Sequence, residues 1–399
     1  MQMVTDGIRN FLANSSGIRK MFEAGIELRK KYGADKVYDF SLGNPDLPPP
    51  KEVSLALEKI AKESLEPFSI GYMPNAGYPL LRERLAAKLA EEQKSPVTAS
   101  HVLITVGAAG GINTLFRTVL NPEDEVITPS PYFVEYGAYA GNFGGKLVPV
   151  PSREFTFELD VEALKNAINA KTRAIIINSP HNPTGQIYSA EELALLGKAV
   201  AEAEKQYGRP IYVIADEPYR FLNYDNTPIP SLFNFFAHSV VIGSFSKTLS
   251  LAGERIGYIA VNPGMGEESE ELMNGLILCN RILGYVNAPA IGQKILMECL
   301  DAQVDLDIYR RRRAAMAEAL TEAGIEFTMP KGAFYFFPKS PVPDEKVFIQ
   351  ALLEQQVLAV PGSAFGCPGY FRMAFCVDEK VIRNGAPGIK RAVESLQKA

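Results

Sequence analysis

The sequence predicts an α/β protein: a large domain with a mostly parallel, helix-covered sheet, joined to a smaller α+β domain. Three observations carry this. The 399 residues exceed what a single hydrophobic core usually supports. From about residue 97 to 245, short β-rich runs alternate with helical stretches. Beyond about residue 290 the alternation gives way to a long charged helical stretch and short mixed elements.

The elements follow in order. VLIT (102–105) leads into GAAGGINTLFRTVL, and EVIT (125–128) into PYFVEYGAYAGNF. KLVPV precedes the helical VEALKNAI, and RAIIIN (173–178) precedes SAEELALLGKAVAEAEKQY. IYVIADE (211–217) and SVVIGSF (239–245) complete the series. Apolar runs this continuous belong to strands covered on both faces, as in parallel sheets. MECLDAQVDLDIYRRRRAAMAEALTEAG reads as one long helical stretch, with the arginine run 310–313 as its solvated face. After it come FTMPKGAFYFFP, helical VFIQALLEQQ, strand-like VLAV and GYFRMAFC. The expected division is an N-terminal segment (1–45) joining the small domain, a large domain (46–290) and a small C-terminal domain (291–399).

Hydrophobic residues make up 47% and charged residues 22% of the chain, the balance of an ordinary soluble protein. A net charge of -5 gives no footprint for nucleic acid or an anionic membrane. No apolar run approaches the roughly 20 residues of a membrane span, and no secretion signal is visible, so a cytoplasmic enzyme is expected. Cys279, Cys299, Cys367 and Cys376 form no C-x-x-C pair and read as free thiols. The scattered His101, His181 and His238 argue against a zinc site, and the lack of a G-x-S-x-G turn argues against a Ser-His hydrolase.

Ligands of parallel sheets bind at the carboxyl ends of strands. Asn178 and Asn182 follow RAIIIN, Asp216 ends IYVIAD, and Ser244 to Lys247 follow SVVIG, so three strand ends converge on one rim. In GSFSKTLSLAGERIGY, Lys247 is either a solvated loop residue or a reactive amine. A lysine that attacks carbonyls needs partial burial or a nearby cation to deprotonate. Asp216 must be paired, either with a neighbouring cation or with a protonated ring nitrogen. Tyr219 lies three residues on, within reach of the same ligand. GAAGGIN (107–113) offers a small-residue helix N-terminus to a phosphate, with Ser244, Ser246 and Arg255 as further donors. Arg255 could equally serve a structural ion pair. An aldehyde for the lysine, a ring nitrogen for Asp216 and a phosphate for the hydroxyl-rich turn together describe pyridoxal 5'-phosphate.

The chain resembles the class I/II aminotransferases, fold-type I pyridoxal-phosphate enzymes. The matching motifs run in order: SLGNPD (41–46), GYPLLRERLA (77–86), SPHNPTGQIY (179–188), ADEPY (215–219), SFSKTLSLAGERIGY (244–258), KGAFYFF (331–337), PGSAFG (361–366) and FRMAFC (371–376). The resemblance implies that residues 46–290 bind the cofactor, with Lys247 as the Schiff-base lysine and Asp216 as the partner of the pyridine nitrogen. It also implies Tyr219 and Asn182 on the phenolic oxygen, and Ser244, Ser246, Arg255 and the amides of Ala108 and Ala109 on the phosphate. Tyr132, with Phe133 beside it in the motif, would stack on the ring. Arg372 would grip the substrate α-carboxylate, assisted by Asn182 and the backbone at Gly43. Tyr72 would reach the phosphate of the neighbouring subunit, which implies a homodimer with shared sites.

The expected reaction is ping-pong transfer of an amino group between an L-amino acid, with aspartate as a candidate, and a 2-oxo acid such as 2-oxoglutarate. Arg281, in LCNRILGYVNAP, lies where some aspartate-specific relatives carry a side-chain-binding arginine, and reads equally as a surface or interface residue. A pyridoxal-dependent C–S β-lyase or other amino-acid lyase would need the same cofactor residues. A DNA-binding regulator on this fold would need an N-terminal domain that the roughly forty residues before LGNPD do not supply.

Overall fold

The computed structural model describes residues 3–13 and 17–397. Twelve strands occur among them: β1 (Tyr38–Asp39), β2 (Val102–Thr105), β3 (Glu125–Ser130), β4 (Lys146–Pro151), β5 (Thr172–Asn178) and β6 (Tyr212–Asp216), then β7 (Ser239–Ser244), β8 (Gly257–Val261), β9 (Tyr335–Phe336), β10 (Val357–Leu358), β11 (Val360–Pro361) and β12 (Phe371–Ala374). The main sheet has seven strands in the order β2-β8-β7-β6-β5-β3-β4. All its pairings are parallel except the two made by β8. The fold is therefore the α/β architecture with a mostly parallel sheet that the sequence predicts.

Alternation along the strands explains why both faces are buried. Ile104, Ile127, Ile175, Ile177, Val213 and Val241 face one hydrophobic cluster. Their neighbours Leu103, Val126, Ile176, Ile214, Val240 and Ile242 face another. Each face is covered by helices, so each strand reads as an unbroken apolar run.

The helix Ala190–Tyr207 shows the local rules at work. Ser189 and Glu192 form a reciprocal capping box at its start, and Gly208 ends it in a left-handed conformation at φ 64°. The predicted long helix over 297–324 is instead two, Ala290–Cys299 and Leu306–Glu322. The Asp305 side chain accepts the Asp307 amide and starts the second helix afresh.

A second correction concerns the arginine run. Arg312 is only 4% exposed and forms a bidentate pair with Asp46 at 2.6 and 3.0 Å. Arg313 reaches Asp225 at 3.0 Å. The run is thus partly an anchor that ties the SLGNPD segment to the second helix, because one side of this helix is turned inward.

The smaller sheet is antiparallel, in the order β11-β12-β9, and β1 pairs in parallel with β10. Its core includes Phe334, Phe336, Phe348, Phe371 and Phe375, all fully buried. Cys279, Cys299 and Cys376 are buried free thiols, and Cys367 is half-buried and free. No helix among the described residues is long and apolar enough to cross a membrane.

Candidate active site

The carboxyl ends of β2, β5, β6 and β7 share one rim. Asn178 pairs in register with Asp216 across β5 and β6, and Ser244 and Thr105 both lie opposite Gly257 of β8. Above this rim lies a cleft of about 300 Å³. Its walls include Gly43, Ala108, Ala109, Phe133, Asn182, Asp216, Tyr219, Ser244, Ser246, Lys247, Arg255 and Arg372.

Lys247 is held at the floor. Its Nζ donates to the Gly43 carbonyl at 2.7 Å. Burial lowers the pKa of this amine, and the cations Arg255 and Arg372 add to the fall against an opposing effect of Cys376. The neutral, nucleophilic form is thereby brought closer to neutral pH.

Asp216 is buried at the end of β6. Its Oδ2 accepts a hydrogen bond from the Tyr136 hydroxyl, while Oδ1 has no partner within the protein. Burial pushes its carboxyl up to about 6, with Glu217 adding to the rise and the Tyr136 hydrogen bond opposing it. Asn178 fixes the strand end on both sides: its Nδ2 donates to the Asp216 carbonyl at 2.7 Å, and its Oδ1 accepts the Asn182 amide at 2.6 Å.

This carboxylate costs the cofactor-free protein stability. Below about pH 4 Asp216 is protonated both folded and unfolded. Between about pH 4 and 6 the unfolded chain ionises while the folded one keeps its proton, so stability falls as pH rises. Two units correspond to about 3 kcal/mol. Urea unfolding of the cofactor-free Asp216→Asn variant should therefore show a gain over wild type at pH 7 that has largely gone at pH 4. An equal difference at both pH values would contradict the assignment.

The helix Gly107–Val119 presents Ala108 and Ala109 of its first turn to the same cleft. Gly107 is required there, because its φ is +68° and a Cβ would sit 2.8 Å from the Arg255 guanidinium. Gly257 is equally constrained, since a Cβ would lie 2.7 and 2.9 Å from the backbone of Gly107 and Ala108. Arg255 is exposed, lines the cleft and donates to the Ala252 carbonyl at 2.8 Å. Amide groups at a helix N-terminus, two serine hydroxyls and a guanidinium make an anion cradle.

Arg372 on β12 is 2% exposed. Its guanidinium donates to Asn182 Oδ1 at 3.1 Å and to the Ser41 carbonyl at 2.7 Å, while its Nε has no partner. The Tyr335 and Phe365 rings lie 4.6 and 4.7 Å from it. The planar fork is thus held in place while retaining unused donor capacity toward the cleft.

The structure does not bring every expected residue to the cleft. Phe133, and not Tyr132, lines it. Tyr132 packs beside Gly366, where a Cβ would meet its ring at 2.7 Å. Tyr72 is 90% exposed, and Arg281 is exposed on the helix Glu267–Ile282. Neither lines the cleft of a single chain. Conversely, Tyr136, Tyr139 and Tyr335 line the cleft without being singled out by sequence. Each sits in an apolar run, where a tyrosine reads as core.

Comparison with known proteins decides the family. The sequence pattern of the family "Aminotransferase class I and II" matches residues 35–389. The chain belongs to that family. It is 33% identical over 389 residues to a probable aspartate/prephenate aminotransferase of Aquifex aeolicus, covering 93% of this chain and 94% of that protein. It is 32% identical over 379 residues to the aspartate/prephenate aminotransferase of Thermus thermophilus, covering 92% and 93%. Among solved structures, an amino transferase from Eubacterium rectale superposes with a TM-score of 0.94 at 35% identity, covering 99% of both chains. The Thermus thermophilus aspartate aminotransferase with maleate superposes with a TM-score of 0.86 at 29% identity, covering 98% and 100%.

The aminotransferase is pyridoxal-phosphate-dependent, and the residues present fit that cofactor. The unpartnered Asp216 Oδ1 suits a ring N–H, the Lys247 amine suits an aldehyde, and the cradle at Gly107–Ala109 suits a phosphate. The reaction is amino-group transfer, and not the C–S lyase chemistry that the same residues could also serve.

Proposed function

We propose that this aminotransferase moves the amino group of an L-amino acid, with aspartate as the leading candidate, to a 2-oxo acid such as 2-oxoglutarate. The observation that carries the reading is the convergence of the Lys247 amine, the unpartnered Asp216 Oδ1 and the immobilised Arg372 fork on one cleft. Bound pyridoxal phosphate supplies an aldehyde that condenses with amines and a ring that takes up the electron pair left when the Cα–H bond breaks. Lys247 would hold the cofactor through its aldehyde, and its Nζ is the group that would take the substrate Cα proton. Asp216 keeps the ring nitrogen protonated. Asn182 and Tyr219 would hydrogen-bond the phenolic oxygen, and Phe133, which lines the cleft, would take the ring-facing place expected of Tyr132. Ser244, Ser246, Arg255 and the Ala108 and Ala109 amides hold the phosphate. Arg372, with Asn182 and Gly43, orients the α-carboxylate.

The working enzyme in this reading is a homodimer with shared sites. Leu65, Phe68, Tyr72, Leu278 and Ile282 are each exposed, and a second copy would give such side chains apolar surface to pack against. The partner subunit's Tyr72 would reach the phosphate, and the partner subunit's Arg281 would meet the substrate side chain.

Aspartate is favoured because the relatives above carry that substrate in their names. Steady-state kinetics of Arg281→Ala over an amino-acid panel test it. The KM for aspartate should rise about 10- to 100-fold, and that for alanine less than about twofold. Equal effects on both would refute the side-chain role.

A further inference from the structure

One side chain in the cleft touches three of the groups described above and has no place in that scheme. Tyr335 on β9 is 2% exposed, and its hydroxyl lies 2.9 Å from the Tyr219 hydroxyl. Its ring lies 4.6 Å from the Arg372 guanidinium. It also closes against Gly43, where any Cβ would collide with the Tyr335 hydroxyl. Gly43 is the residue whose carbonyl receives Lys247.

The sheet explains this placement. Tyr335 is in register with Ala374 of β12, and Arg372 is two residues earlier on the same strand. Residues so related are diagonal neighbours on one sheet face, within reach of aromatic and long side chains. Phe334 and Tyr219 meet edge to face at 5.3 Å, and Tyr335 and Tyr219 at 5.7 Å, which fixes both phenols.

We propose that Tyr335 is a positioning residue that joins the two halves of the site, with its hydroxyl orienting Tyr219 and its ring seating Arg372. The idea rests on the reading that Tyr219 faces the cofactor and Arg372 the substrate. When Tyr219 donates its own proton into the cleft, its oxygen is left to accept the Tyr335 proton. A hydrogen bond received in this way polarises the phenol and strengthens it as a donor. The phenol proton of Tyr335 stays in place for this task, because burial pushes its pKa up to about 12. The ring acts separately: a cation above an aromatic face keeps its fork in plane without consuming its N–H donors.

The two roles are separable by substitution. Tyr335→Phe removes the hydroxyl and keeps the ring, whereas Tyr335→Leu removes both. The readouts are the pH titration of the holoenzyme's visible absorbance, measured without substrate, and the KM for amino acids. Tyr335→Phe should shift the titration midpoint in the same direction as Tyr219→Phe, by a smaller amount of about half a unit. In a Tyr219→Phe background it should shift it no further, since the effect runs through that phenol. Tyr335→Phe should leave KM within about twofold, and Tyr335→Leu should raise it about 5- to 20-fold for every amino acid alike.

If Tyr219→Phe shifts the midpoint and Tyr335→Phe does not, the proposal fails while the site reading survives. The proposal fails in the same way if Tyr335→Phe shifts both backgrounds equally, or if Tyr335→Phe and Tyr335→Leu raise KM equally. If Tyr219→Phe itself leaves the midpoint unchanged, the site reading fails and takes the proposal with it.

Discussion

Lys247→Ala should abolish amino-group transfer together with the visible absorbance of the bound cofactor. The loss in turnover should be about 10⁴-fold or more, because in the proposed reaction one amine would both hold the aldehyde and move the Cα proton. The site is shaped for this amine in particular. Burial and the flanking Arg255 and Arg372 lower its pKa, and the Gly43 carbonyl, 2.7 Å away, fixes where it rests. Lys247→Arg is the sharper control, since it preserves the positive charge but gives a group that does not deprotonate in proteins. It should fail as completely as alanine. Residual transfer in Lys247→Arg near the wild-type rate would show that the lysine acts only as a charge.

Arg372→Lys should lower kcat/KM for every amino acid by about 10²- to 10³-fold, irrespective of side chain, while leaving the cofactor's absorbance in place. Full removal of one partner of a buried, hydrogen-bonded charge pair costs about 3–5 kcal/mol, or about two to four decades at about 1.36 kcal/mol each. A substitution that keeps the charge falls in the lower part of that range. Lysine retains the charge but neither the plane that lies between Tyr335 and Phe365 nor the fork that meets Asn182 and Ser41. A loss confined to dicarboxylic substrates would instead place Arg372 at the side-chain end of the site.

Strand periodicity and motif spacing made much of this architecture legible. Asn178, Asp216 and Ser244 each end an apolar run, and a parallel sheet necessarily gathers such ends on one rim. That Lys247, Asp216, Asn182 and Arg372 share a cleft follows from that geometry and from the order of the motifs. Other features depend on contacts that no local pattern records. β8 is buried on both faces like its neighbours, so its reversed direction leaves no mark in its composition. Arg312 and Asp46 are 266 residues apart, and a run of four arginines reads as a solvated face until the helix's orientation is known. Which of Tyr132 and Phe133 faces the cleft turns on a one-residue rotation of the segment after β3. Tyr136 and Tyr335 lie in runs whose apolar character signals core, and their hydroxyls acquire meaning only beside Asp216 and Tyr219. Tyr72 and Arg281 face outward, where a single chain offers them nothing to hold.

That one cleft carries amino-group transfer through Lys247 is tested most directly by the half-reaction. Purified holoenzyme is mixed with aspartate and no 2-oxo acid, then followed by absorbance and by assay of released 2-oxo acid. Transfer through Lys247 predicts a shift of the cofactor's visible band, release of about one 2-oxo acid per bound cofactor, and reversal when 2-oxoglutarate is added. Release of many equivalents without an added acceptor, or no release with any amino acid in the panel, would contradict it.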